Sequence, residues 1–395
     1  MKMNEEKRME SFSKELKLLL LLLEVKSNTD IMVRNKEILK DIDWELFIQL
    51  SLHHRVFSVI YKRIIDINNI DIPSHVVQVL RQHYQKNIFR MLQLSGETEF
   101  IAQIFAKQEI RTLFLKGPVL AVHLYGDISL RTSADLDILI PIDQLEDAEE
   151  ILLTHGYIKD DYIQTVLNDW KWRHHHITFY HPQKKIKVEI HWRLNPGPAK
   201  EPSFKHLWER KREVFLSKNP VFILGNEDLF LFLVSHGARH GWSRLRWLLD
   251  IDYFTKLVSD WKNVKRLLEE YHYLHVGGQA LILASTLLNT NIQKEMKVLT
   301  ESNRSERLAQ EAFFYIKQMV NLHTEPVPDE IARYHKNHLF SLMSFQQKCL
   351  FIASFLFPYP EDAEVLPLPK FLHFLYFPLR PFLWAWRWGR KQTLS

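Results

Sequence analysis

Between Asp135 and Ile140 the chain reads DLDILI, two aspartates one residue apart within an otherwise apolar run. An apolar run of this length with β-branched residues reads as a buried strand. On a strand, residues i and i+2 point to the same face, so Asp135 and Asp137 project together. Paired carboxylates there are costly, because like charges side by side disfavour ionisation and burial penalises both. A divalent cation removes that cost, and hard oxygen ligands at this spacing suit Mg²⁺ or Mn²⁺. The alternation therefore points to a metal-binding, phosphoryl-handling site, and the strand carrying it to a sheet backed by helices.

The neighbouring segments supply that sheet. RTLFLKG reads as a strand ending at Gly117, and PVLAVHLYG as a helix with Pro118 in its first turn. After DLDILI, the segment IDQLEDAEEILLTHG is a helix with Asp143 as N-cap and Gly156 as its stop. HHHITFYHP and KKIKVEIHWRL are alternating strands joined by a turn at Pro182-Gln183-Lys184. Residues 1–95 carry apolar residues at helical spacing, and Pro73-Ser74 opens a long helix. NPGPAKEPS, from Asn195 to Ser203, is a linker, and helix resumes beyond it. The expected fold class is mixed α/β (α+β), a small mixed-sheet core flanked by helical domains. The boundaries fall at 1–95 (helical), 96–200 (core), 201–356 (helical) and 357–395, an aromatic and basic tail.

On KKIKVEIHWRL, period 2 places Lys187, Glu189 and His191 on one face. Glu189 is thus a carboxylate able to join Asp135 and Asp137 if its strand pairs beside theirs; the bland reading is an acidic strand offset by lysines. Arg131 and Ser133 alternate in phase with Asp135. Arg131 either holds phosphate or neutralises the aspartates.

These residues resemble the DNA polymerase β-type nucleotidyltransferase superfamily, and more narrowly a bacterial group of uncharacterised nucleotidyltransferases. The resemblance runs through Leu115–Pro141, Val188–Leu194 and Leu231–Asp250, with Trp44–Tyr61 upstream. It implies transfer of a nucleoside monophosphate from an NTP to an acceptor, with release of pyrophosphate and dependence on Mg²⁺ or Mn²⁺. Asp135 and Asp137 would bind metal, and Glu189 would complete the acidic set and help activate the attacking hydroxyl. Lys116, Gly117, Arg131 and Ser133 would hold the triphosphate. Pro118 stands where the family carries a second small residue, and it lacks the N–H donor of its counterpart. The acceptor stays open among small molecule, peptide or protein, and RNA. Two rivals are a toxin-like enzyme acting on tRNA or protein, and a catalytically silent accessory protein binding a peptide or membrane surface.

Other features carry less. In the run His174-His175-His176 strand alternation lets His174 and His176 alone share a ligand, and a solvated strand face is the favoured reading. His236 and His240 share a helix face, with Gly237 where a zinc-protease helix carries Glu. Asp250-x-Asp252 repeats the acidic spacing, but RLRWLLDIDYFTKL reads as helix, where i and i+2 diverge; an arginine such as Arg246 is the expected partner. The tail combines Phe382, Trp384, Trp386 and Trp388 with Arg380, Arg387, Arg390 and Lys391. Such a mixture suits either a membrane interface or packing on the chain itself or an oligomer partner, and Pro378 and Pro381 are expected to interrupt any membrane-spanning helix there.

A chain of 395 residues, 46% hydrophobic and 25% charged, has ample material for a core. A net charge of +5 gives mild attraction to phosphates and no strong nucleic-acid signal. One cysteine, Cys349, excludes an intrachain disulfide. The run Leu18–Leu23 is too short to span a bilayer or serve as a signal peptide, so a cytoplasmic location is expected.

Overall fold

The computed structural model describes residues 11–24, 39–67, 72–160, 170–258, 260–322 and 326–393. Residues 1–10, 25–38 and 68–71 of the helical region read above, and the side chains of Trp388, Arg390 and Lys391, lie outside the described residues.

A mixed sheet is the centre of the molecule. Its strands are β1 (Leu113–Phe114), β2 (Asp135–Leu139), β3 (Ile158–Lys159), β4 (His176–His181), β5 (Ile186–His191), β6 (Arg212–Phe215) and β7 (Pro220–Ile223). They lie in the order β3-β4-β5-β2-β1-β7-β6. Strands β2 and β5 pair in parallel, with Asp135 opposite Lys187, Asp137 opposite Glu189 and Leu139 opposite His191. Strand β1 runs antiparallel to β2, and β4 antiparallel to β5. Leu136, Ile138, Val188 and Ile190 are buried on the opposite side from the acidic residues, so apolar packing sets the phase of both strands.

Helices flank the sheet. The 34-residue helix Ser74–Lys107 is about 50 Å long and buries Leu94, Ile101 and Phe105. The shorter helix Gly117–Tyr125 begins at the end of β1's connection and closes on Gly126 in the left-handed conformation. Further along the chain, Asn226–Arg239 and Leu245–Thr255 form two mostly buried helices that meet at a tight turn. Gly237 lies against the ring of Trp242 so closely that a Cβ there would sit 2.4 Å from it. That contact is the physical reason for glycine at this position of the helix.

The structure departs from the sequence reading at three points. The segment beyond the linker is not helical throughout. EVFLSKNPVFI forms the hairpin β6–β7, and β7 pairs in parallel with β1, so the sheet draws strands from past residue 200. Its signal was a short pair of β-branched runs around Ser217-Lys218-Asn219, masked by the charges at Arg212 and Glu213. Asp143 does not cap the helix after β2: residues Ile142–Gln144 make a 3₁₀ turn, and Leu145–Thr154 follows from Gln144 without a side-chain cap. The histidine run is not one strand, since β4 starts only at His176. In the tail, Tyr376–Thr393 is a single helix that continues through Pro381. Pro378 falls in its first turn, where no N–H is missed. Arg380 and Arg387 clamp the helix onto the buried Asp362 at 2.6 Å and 3.0 Å. Tyr376 and Leu383 pack inward, while Phe382 faces out. Among the described residues no helix is long and apolar enough to cross a membrane.

Candidate active site

The parallel register of β2 and β5 turns two stretches of sequence into one acidic surface. Asp135 and Asp137 project from β2, and Glu189 projects beside Asp137 from β5. Asp137 is 1% exposed, and neither of its carboxylate oxygens accepts a well-directed hydrogen bond among the described residues. A buried ionised carboxylate in that state needs a cation. Two ammonium groups supply part of the charge. The Lys116 Nζ lies 2.8 Å from Asp137 Oδ1. The Lys187 Nζ lies 2.7 Å from Glu189 Oε1 and 3.4 Å from Asp135 Oδ2, bridging the two strands.

His191 completes this surface. It follows Glu189 in phase on β5, is 4% exposed, and holds its Nε2 3.3 Å from Asp137 Oδ1 and 3.6 Å from Glu189 Oε2. Burial pushes the Asp137 carboxyl up, but Lys116 and His191 outweigh it and leave the group below its ordinary range. Glu189 is likewise held low: burial opposes ionisation, and His191, His176 and Lys187 overcome it. For His191 burial disfavours the charged ring, while Asp137 and Glu189 draw its pKa above the usual value. Both carboxylates are therefore ionised at neutral pH. Burial holds His176 at about 4, so that ring is neutral there.

The ligand atoms of Asp137, Glu189 and His191 lie within 4.8 Å of one another, which fits a divalent ion. The orphaned oxygens of Asp137 and the oxygen-rich donor set suit a hard cation.

Lys116 and Gly117 form the turn between β1 and the helix that follows. Gly117 has φ +75°, a left-handed conformation, and a Cβ there would touch the Leu136 side chain at 3.4 Å. The turn thus needs glycine, and Lys116, which precedes the helix, lines the same cleft as Asp137. That cleft, about 800 Å³, has the acidic strands on one wall and Arg239, Arg244 and Arg246 on the other. Arg246 is lowered to about 9 by burial and the nearby Arg131, and Arg244 to about 10 by burial and Arg55. Both remain charged at neutral pH.

Arg131 and Ser133 lie at the cleft but are engaged elsewhere. Arg131 is 1% exposed and forks onto Asp250, Nε to Oδ1 at 2.9 Å and Nη2 to Oδ2 at 3.0 Å. The hydroxyl of Tyr125 donates to the same carboxylate at 2.8 Å. Asp250 is therefore paired with Arg131 and not with Arg246, whose Nη1 donates to Thr132. Sequence proximity favoured Arg246, one turn away, whereas the buried fork of Arg131 comes from 119 residues upstream. Ser133 donates its hydroxyl to the backbone oxygen of Asp135 at 3.0 Å, which fixes the entry to β2. Asp252 points away from Asp250, bonded to Lys256 and Thr290.

The histidines were under-read. Because His174 and His175 precede β4, alternation does not separate them as expected. His175 and His176 come within 3.2 Å at Nε2 and Nδ1, and both rings face His191. They line the cleft in place of a solvated strand face. His236 and His240 also line it, their rings 4.6 Å apart and packed against Trp247. Period 2 places His191 and Lys187 on the face of Glu189, but gives neither a role at the site. The turn at Pro182-Gln183-Lys184 signals that β4 and β5 pair, but not the register that sets His176 opposite His191.

Residues 40–289, more than half of the chain, match the model of a family described as uncharacterised nucleotidyltransferase. The match runs through β1 to β7 and both helices on the far wall of the cleft. No curated protein matches the chain. The chain belongs to this uncharacterised nucleotidyltransferase family.

Proposed function

We propose, from that membership as premise, that the protein is a metal-dependent nucleotidyltransferase of the DNA polymerase β type. It moves a nucleoside monophosphate from an NTP to an acceptor and releases pyrophosphate. The observation that carries the reading is the Asp137–Glu189 register, which sets three carboxylates on one sheet face beside the Gly117 turn.

Asp135 and Asp137 would hold the divalent ions, Mg²⁺ or Mn²⁺, and Glu189 would complete the set. Bound ions would supply charge neutralisation on the attacking and leaving oxygens of an in-line displacement. The side chains do the rest. Glu189 would accept the proton of the acceptor hydroxyl as that oxygen bonds to the α-phosphorus, and the bond from the α-phosphorus to the α–β bridging oxygen would break, releasing pyrophosphate. Lys116 and the free N–H groups at the Gly117 helix start bind the triphosphate. In the unliganded protein Lys116 holds Asp137, so nucleotide and metal entry would draw it from carboxylate to phosphate. Arg239 and Arg246 face the developing pyrophosphate from the opposite wall. Arg131 and Ser133 act one step back: the Arg131–Asp250 fork and the Ser133 hydrogen bond fix residues 131–135, which aim Asp135 and Asp137.

The test is to incubate the protein with each NTP labelled at the α-phosphate, Mg²⁺ or Mn²⁺, and a cell extract. Label should move to an acceptor in wild type and not in Asp137→Asn. No metal-dependent transfer from any of the four nucleotides would overturn the reading.

A further inference from the structure

The acidic face and the Gly117 turn leave one group of side chains without a role: three imidazoles gathered from two strands and the residue before them. His175, His176 and His191 offer ligand nitrogens that all lie within 4.8 Å of one another. His175 Nε2 and His176 Nδ1 are 3.2 Å apart. Two ligands on one ion, each with a bond of about 2.0–2.1 Å, are separated by about 3.4 Å in a tetrahedral site. The rings are thus spaced as co-ligands are. A hydrogen bond between His175 and His176 accounts for that one distance, but not for the third ring.

His191 is the independent observation. It is 4% exposed, and among the described residues neither Nδ1 nor Nε2 makes a well-directed hydrogen bond, although Nε2 lies 3.3 Å from Asp137 Oδ1. The contact at Nε2 leaves Nδ1 buried with nothing to replace its hydration.

We propose that His175, His176 and His191 form a transition-metal site, one that takes Zn²⁺ or Co²⁺ and does not take Mg²⁺. Imidazole suits these ions, whereas Mg²⁺ requires oxygen donors. His191 belongs to this group and to the Asp137–Glu189 group alike, so the imidazole-bound ion lies against the acidic face. The fourth coordination position opens on the cleft, the arrangement of a site that keeps a place for water or a ligand. The inference does not rest on the transferase reading, because no nucleotide is needed for the ion to bind.

The test is calorimetric titration of tag-free protein with Zn²⁺ alone, in the absence of nucleotide, followed by the same titration in saturating Mg²⁺. One equivalent of Zn²⁺ should bind, and Mg²⁺ should not displace it. His175→Ala and His176→Ala should each weaken Zn²⁺ binding by at least the roughly 10–100-fold that loss of even an outer-shell partner costs. His155→Ala, at an exposed histidine remote from the cluster, should bind as wild type. X-ray absorption on Zn²⁺-loaded wild type counts imidazole ligands without any variant, and should find at least two. Absence of Zn²⁺ binding, equal binding in the His175 and His176 variants, displacement by Mg²⁺, or an imidazole-free absorption spectrum would each overturn the site.

Discussion

Asp135-x-Asp137 and Asp250-x-Asp252 are the same pattern in sequence, and the fold gives them opposite fates. On β2, two residues of rise return a side chain to the same face, so both carboxylates reach one cleft with Glu189 beside them. On the helix Leu245–Thr255, two residues of rise turn a side chain through more than half a turn. Asp250 there is buried and clamped by Arg131, while Asp252 bonds Lys256 on the other side. The strand pair is under-neutralised and open to cations. The helix pair is satisfied by protein groups. Acidic spacing therefore signals a metal site only through the period of the element that bears it.

The largest effect expected from this contrast is on catalysis. Asp137→Asn should lower nucleotidyl transfer on the order of 10²–10³-fold or more, the scale of losing one group that stabilises transition-state charge. Asp252→Asn should leave the rate within a few-fold. Single-turnover assays with α-labelled NTP check both, and a metal requirement shifted by Asp252→Asn would break the distinction.

Next comes stability. Asp250→Ala strands the Arg131 guanidinium in the interior, and breaking a buried pair from one side costs about 3–5 kcal/mol. Urea denaturation should show that loss, and replacing both partners together, Arg131→Met with Asp250→Leu, should recover most of it. A near-wild-type midpoint for Asp250→Ala would mean that the fork is not what holds residues 131–135 in place.

A smaller change follows at Lys116. Charge-assisted bonds to phosphate contribute about 1.5–3 kcal/mol, so Lys116→Ala should weaken NTP binding by roughly 10–150-fold in calorimetry. Unchanged affinity would move the triphosphate away from the Gly117 turn. The smallest effect is at Asp252, whose partners are a half-exposed lysine and a hydroxyl. Asp252→Asn should cost about 1 kcal/mol or less, read from the same urea midpoint.

Much of this contrast was legible in the chain, because it rests on periodicity. Leu136 and Ile138 mark β2 as a strand facing inward, and the apolar spacing of Leu245, Leu248 and Leu249 marks a helix. Glu189 and His191 followed from the same alternation on β5. What stayed hidden depends on contacts between distant segments. Nothing near Arg131 announces that Asp250 will be its partner, and the turn between β4 and β5 does not fix which histidines meet across them. The β6–β7 hairpin was obscured because edge strands carry charges on their exposed face, which weakens the apolar signal. The tail helix persists through Pro381 because Arg380 and Arg387 tie it to Asp362, a tertiary compensation with no local trace.

On this reading the strand-borne carboxylates, and not the helix-borne ones, would hold the catalytic divalent ions. Mn²⁺ binding followed by electron paramagnetic resonance, with a non-hydrolysable NTP analogue present, tests it most directly. Wild type, Asp137→Asn, Asp250→Asn and Asp252→Asn would be titrated side by side, each first shown to be folded by circular dichroism. Asp137→Asn should lose nucleotide-dependent Mn²⁺ binding, while folded Asp252→Asn should keep it at wild-type affinity and folded Asp250→Asn should keep it with at most a reduced affinity. Retained binding in Asp137→Asn, with loss in either helix variant, would contradict that reading.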